Sequence, residues 1–259
     1  MTEETPIEER LSEQRQRIAR AARKVGRDPS EITLVAVSKK QSVDKIISAY
    51  AAGQRDFGEN YVQELMQKSE QLSHYADIRW HLIGHLQTNK ARFVAKLVHA
   101  VHTVSSVKLA QELGDRVRQR SRTLAASPEA ARALAEGSFD TAPPLSMLPL
   151  SVLVEVNVGQ EQQKSGCAPH ELAQVLDAID AQLGLRLSGL MTVPPFDPDP
   201  EQARPYFEQL VALRDAHGGK ERLPELSMGM SQDMEVAIET EASIVRVGSA
   251  IFGAREAAT

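Results

Sequence analysis

Cysteine is nearly absent from this sequence. Cys167 is the only one in 259 residues, so an intrachain disulfide, a zinc ribbon and a CxxC redox pair are all excluded. A reducing compartment is the expectation. Long apolar runs are missing as well: no 18 consecutive apolar residues occur, and the acidic start MTEETPIEERLSEQR holds no apolar h-region. Both observations argue against a membrane span or signal peptide and for a cytoplasmic protein. An excess of positive charge is also lacking. Thirty Lys and Arg stand against 35 Asp and Glu, a formal net charge of −5, and the basic residues are interleaved with acidic ones, so a nucleic-acid surface is not expected. GxGxxG after the first strand-like run, GxxxxGK[ST] and HExxH do not occur, which counts against a Rossmann unit, a P-loop and a helical zinc-protease site.

What is present is an ordinary globular composition, 42% hydrophobic and 25% charged, arranged in a regular alternation. A helical pattern over Ile7 to Lys24 repeats Ile7, Leu11, Ile18 and Ala21 and stops near Gly26. The run ITLVAVS at 32–38 is β-branched and apolar throughout, as expected of a parallel strand covered on both faces. Further strand-like runs lie at 55–58, 78–83, 99–104, 152–158, 185–191, 225–228 and 243–248. Helical patterns separate them at 43–52, 61–72, 88–97, 107–118, 169–183, from the turn-rich PPFDPDP to about 216, and at 232–239. This rhythm predicts a single (β/α)8 TIM-barrel domain over residues 1–259 with an extra amino-terminal helix; periodicity alone leaves an open doubly wound sheet as the alternative. Residues 119–150 are too long for a plain connection and read as a surface insertion with a small helix opening at Ser127, Pro128 and Glu129; no function is assigned to them.

Polar residues gather where the strand-like runs end, at the mouth where barrel enzymes place their chemistry. Side chains alternate along a strand, so Val35, Val37 and Lys39 share one face and Lys40 takes the other. If that face is the interior, Lys39 is an amine among apolar walls, able to form an imine; the bland reading is a solvated lysine pair closing a strand. Gly229, Ser231, Gly248 and Ser249 supply small residues after strands seven and eight, where barrels often bind phosphate; an ordinary N-cap and a tight turn are the bland readings of Ser231 and Gly248. Arg246 sits in the apolar SIVRVG and needs a partner, either Glu155 or Glu235 in a structural ion pair or the ring nitrogen of a bound cofactor. His81 and His85 are four apart on a strand rather than a helix, which does not suit a metal, and no metal site is expected.

These residues sit in words that carry a resemblance: AVSK at 36–39, FGENYVQE at 57–64, WHLIGHLQTNK at 80–90, KSG at 164–166, GLM at 189–191, LSMGMSQDMEVAI at 226–238 and VRVGSAIFGAR at 245–255. Taken in order along nearly the whole chain, they resemble the pyridoxal phosphate homeostasis proteins, single-domain relatives of the alanine racemase amino-terminal barrel. The resemblance implies that Lys39 holds pyridoxal 5'-phosphate as an internal aldimine. It also implies that Ser231, Gly248 and Ser249 bind the phosphate and that Arg246 faces the pyridine nitrogen, with Asn60 at a mouth position where it can touch the cofactor. Alanine racemases add a second, β-rich domain with a catalytic Tyr opposite the Lys, and no such domain is expected here. The function expected is therefore a monomeric carrier that buffers pyridoxal phosphate and supplies apo-enzymes that depend on it. The alternatives are an amino-acid racemase using the same cofactor and a Schiff-base aldolase acting on a sugar phosphate.

Overall fold

Eight short parallel strands pair in sequence order, and the eighth returns to the first to close a barrel: β1 Thr33–Val37, β2 Asp56–Glu59, β3 Arg79–Leu82, β4 Ala100–Val104, β5 Leu150–Glu155, β6 Leu185–Met191, β7 Glu225–Ser227 and β8 Ile244–Val247. This computed structural model describes residues 5–125, 149–161 and 163–253. The closed order corrects the open-sheet alternative: β1 pairs with both β2 and β8, so the sheet has no free edge.

Register divides the side chains between two layers. Val35 is paired with Arg246 and Gly58 with His81, so all four share the inner face. Ala36 is paired with Phe57, and both face outward into the main core, with Leu34, Trp80 and Leu82. Inside the barrel the apolar filling is small, Val35, Leu153, Met191 and Ile244 with Val193 against them. Much of the rest of the buried interior is polar, including Asp56, His81, His102, Ser227 and Arg246.

Helices cover the outer face. α1 Ile7–Lys24 buries Leu11, Ile18, Ala21 and Ala22, and its end is a Schellman turn: Gly26 has φ 73°, its N–H donates to the Arg23 carbonyl at 3.1 Å, and the Arg27 N–H donates to that of Ala22 at 3.0 Å. α2 Val43–Ala51, α3 Val62–Gln71, α6 Leu172–Asp180, α7 Arg204–Ala216 and α9 Met234–Glu239 fall where the periodicity places them. Four details differ. The pattern at 88–97 is a 3-10 turn, Thr88–Lys90, leading into the single helical turn α4 Ala91–Val94. α5 Val107–Ala125 runs past 118, because the residues that follow are helix formers and Arg120 turns inward to donate to the Ala95 carbonyl at 2.6 Å. Two short helices, α8 Gly219–Arg222 and α10 Ser249–Phe252, were too brief for a periodic signal. The expected small helix at Ser127 lies outside the described residues.

Candidate functional site

Lys39 lies just beyond β1, in a turn closed by the Gln41 N–H donating to the Ser38 carbonyl at 3.0 Å. Lys40 has φ 56° there and is exposed, whereas Lys39 is half-buried. The turn is fixed from outside the barrel by a buried lysine on α3. Lys68 Nζ donates to the Ser38 carbonyl at 2.6 Å, to Glu59 Oε1 at 2.8 Å and to Glu64 Oε1 at 2.6 Å. Ser38 Oγ donates to Glu59 Oε1 at 2.7 Å, and the Lys40 N–H to Glu64 Oε1 at 2.5 Å. Burial pushes the Glu59 carboxyl above its ordinary pKa, against the pull of Lys68.

Around Lys39 opens a pocket of about 670 Å³, within the usual size range of small-molecule sites. Val37 lines it together with Lys39, which agrees with the shared face expected from strand alternation, and Ser231, Arg246, Gly248 and Ser249 line it too. Five of the six residues that the family resemblance assigns to the cofactor thus converge on one space, while Gly229, the other small residue after strand seven, is not among its lining. Asn60 does not: it lines a separate pocket of about 320 Å³ with Tyr61, His85 and Lys90. Its backbone is held close to β3 by Gly84, where a Cβ would lie 2.3 Å from the Asn60 carbonyl oxygen.

The loop after β7 is held by two contacts from elsewhere in the fold. The Arg246 N–H donates to the Gly229 carbonyl at 3.0 Å, and Arg17 Nη2 on α1 donates to the Ser231 carbonyl at 3.1 Å. Arg17 also grips Glu235 with Nε at 2.7 Å and Nη2 at 2.8 Å, so the extra amino-terminal helix props the loop beside the pocket.

That pairing answers the question of Arg246's partner. Glu235 belongs to Arg17, and Glu155 exerts only a longer-range pull, so neither forms the ion pair considered from sequence. Arg246 Nη1 donates instead to Ser227 Oγ at 2.6 Å and Nη2 to the Thr192 carbonyl at 2.9 Å. Burial lowers its pKa to about 10, opposed by Asp233 and Glu155, and the group stays cationic at neutral pH. Glu155 faces inward beside Met191; burial raises its carboxyl to about 7 against the pull of Arg246, and its Oε2 has no hydrogen-bond partner among the described residues.

Sequence reasoning assigned no role to several residues found here. Lys164 and Glu161, paired with each other, stand on the rim with Phe196, which is 80% exposed, and the buried Asp233 lines the pocket too. Asn157 lies past β5 rather than on it, and its side chain ties the loop to Glu161, donating to the carbonyl at 2.9 Å. Among the described residues no group of three or more His, Cys, Asp or Glu could hold a metal ion. Cys167 is buried, with its thiol pushed up to about 12 by burial and by Glu171.

The family model described as alanine racemase, N-terminal domain, matches residues 10–256. The pyridoxal phosphate homeostasis protein of Pseudomonas aeruginosa is 39% identical over 253 residues, which cover 96% of each chain. The protein of that name from Escherichia coli K12 is 39% identical over 259 residues, 96% of this chain and 97% of the relative. Among solved structures, PipY of Synechococcus elongatus with pyridoxal phosphate bound superposes with a TM-score of 0.74 at 29% identity, covering 95% of this chain and all of that one.

Proposed function

Because the chain belongs to the pyridoxal phosphate homeostasis protein family, built on the alanine racemase N-terminal barrel, we propose that it holds pyridoxal 5'-phosphate in the pocket around Lys39 and supplies it to other proteins. One observation carries this reading: Lys39, Arg246, Ser231, Gly248 and Ser249, which come from three separate parts of the sequence, line a single cavity at the carboxyl end of the barrel. The cofactor brings an aldehyde that condenses reversibly with a primary amine. The residues present fit it. Lys39 is the one lysine that β1 directs into the cavity, beside the apolar Val37. Ser231 and Ser249 would offer hydroxyls, and Gly248 a backbone without a side chain, to a phosphate. Arg246, held by Ser227 and Thr192, would present a fixed donor-only group to the ring nitrogen; facing such a donor, that nitrogen would stay unprotonated and the cofactor would be a weak electron sink. Such a site retains its cargo without promoting carbanion chemistry.

The closed barrel supports reading residues 1–259 as one binding domain, and we propose a cytoplasmic monomer whose partners are apo-enzymes that need the cofactor. Asn60 then borders the site from a neighbouring pocket rather than lining it. The test is transfer. Protein loaded with pyridoxal phosphate should activate an apo-enzyme at least as fast as the same concentration of free cofactor, and amino acids incubated with it in heavy water should not exchange their α-proton at turnover rates. Rapid exchange would assign the site to a racemase instead.

A further inference from the structure

The buried interior of the barrel contains one continuous line of hydrogen bonds that crosses from its amino-terminal end to the pocket. Arg246 Nη1 donates to Ser227 Oγ at 2.6 Å, and Ser227 Oγ lies 2.9 Å from His102 Nδ1. His102 Nε2 lies 2.9 Å from His81 Nδ1, and His81 Nε2 lies 2.9 Å from Asp56 Oδ1. Asp56 is the first residue of β2, and Arg79, the first of β3, binds both of its oxygens, Nε donating to Oδ1 at 2.7 Å. These two residues line a second pocket, about 430 Å³, which opens at the amino-terminal end. The line therefore joins one pocket to the other through five strands.

Its polarity follows from what each group can do. Arginine only donates, and an ionised carboxylate only accepts. Burial drives the Asp56 carboxyl up, but hydrogen bonds from His81 and Arg79 outweigh it and bring it down to about 2, so it is ionised. Burial holds His102 well below the ordinary imidazole range, helped by repulsion from His81, Arg246 and His99, so its ring is neutral. Between Arg246, which only donates, and the Asp56 carboxylate, which only accepts, one arrangement places a single proton in every gap: Ser227 donates to His102 Nδ1, His102 Nε2–H to His81 Nδ1, and His81 Nε2–H to Asp56. The reverse order of the two links above His81 would leave the Ser227 hydroxyl facing two donors, His102 and Arg246.

We propose that Ser227, His102, His81 and Asp56 form a directional relay that positions Arg246 from the far end of the barrel, making the grip on the cofactor's ring respond to the charge at the amino-terminal pocket. The four are positioning residues, and the proposal rests on Arg246 facing the cofactor as argued above. The other groups around His81 are Arg79 on its own strand, Asp56 from β2, His102 from β4 and His99 just before it, with His99 having Arg186 of β6 nearby. Any pH response of the relay is read against these. Polar networks of this kind couple their members because each donor fixes the orientation of the next acceptor.

Two readouts test it. In the cofactor-free protein labelled with 15N-histidine, long-range proton–nitrogen spectra near neutral pH should show His102 protonated on Nε2 and bare on Nδ1. The opposite tautomer would overturn the relay, whether or not any cofactor binds. In titrations with pyridoxal phosphate, Ser227→Ala should weaken binding about three- to thirtyfold, and Asp56→Asn should weaken it in the same direction. Each should move the pH midpoint of the visible band by at least about 0.3 unit. The double variant should be no weaker than Ser227→Ala alone, because without the hydroxyl the charge at Asp56 has no route to Arg246. Additive losses, or an Asp56→Asn protein with wild-type affinity and pH profile, would overturn it. Failure of the wild-type protein to take up pyridoxal phosphate would instead sink the proposed function, while the tautomer still decides the order of the relay.

Discussion

Lys68 Nζ donates to the backbone carbonyl of Ser38 at 2.6 Å, so the residue just before Lys39 is pinned by a lysine that never enters the pocket. The same ammonium neutralises Glu59, which is fully buried, and shares Glu64 with the Lys40 N–H. Lys68 and Glu59 thus belong to the support of the turn, and the turn sets where Lys39 points.

Lys68→Met leaves Glu59 in the core without its cation. Breaking a buried pair by removing one member costs about 3–5 kcal/mol, because the remaining charge keeps its desolvation penalty. Urea denaturation at pH 8 should show a loss of that size, and adding Glu59→Gln should recover part of it. A loss below about 1 kcal/mol would show that the pair does not hold the turn.

Glu155 gives a pH signature of its own. Its carboxyl is raised from an ordinary 4.5 to about 7, by burial against the pull of Arg246. Between those values the folded chain binds a proton that the unfolded chain has released. Stability contributed by the neutral form is therefore present below about 4.5 and is lost as pH rises to about 7. Glu59 and Asp233 are raised by burial as well, so the difference between wild type and Glu155→Gln isolates this one group. Relative to its value at pH 5, the stability of Glu155→Gln at pH 8 should gain about 2–3 kcal/mol on wild type. Parallel curves would contradict the assignment.

Much of the architecture is legible in the sequence because a parallel strand covered on both faces leaves a nearly unbroken apolar run, and β1 shows such a run plainly. Lys39 is legible because strand alternation carries the face of Val35 and Val37 forward by two residues. The interior relay is not legible in the same way. His81, His102 and Ser227 occupy inward positions on three strands far apart in sequence, and only the closed order and the register bring them within 2.9 Å of their neighbours. Arg246's true partners were hidden for a related reason: Ser227 and the Thr192 carbonyl carry no charge to advertise them, whereas Glu155 and Glu235 do. Asn60 looks like a mouth residue from its place after β2, yet the close approach permitted by Gly84 sets it in the adjoining pocket.

The central claim concerns one nitrogen, and reductive trapping reads it directly. Protein incubated with pyridoxal phosphate and treated with borohydride should lose its visible band and carry the reduced cofactor on Lys39 in peptide mass maps; Lys40→Ala should be labelled as wild type is, and Lys39→Ala not at all. Label recovered on Lys40, or on Lys164 at the rim with Lys39 unmodified, would contradict the account.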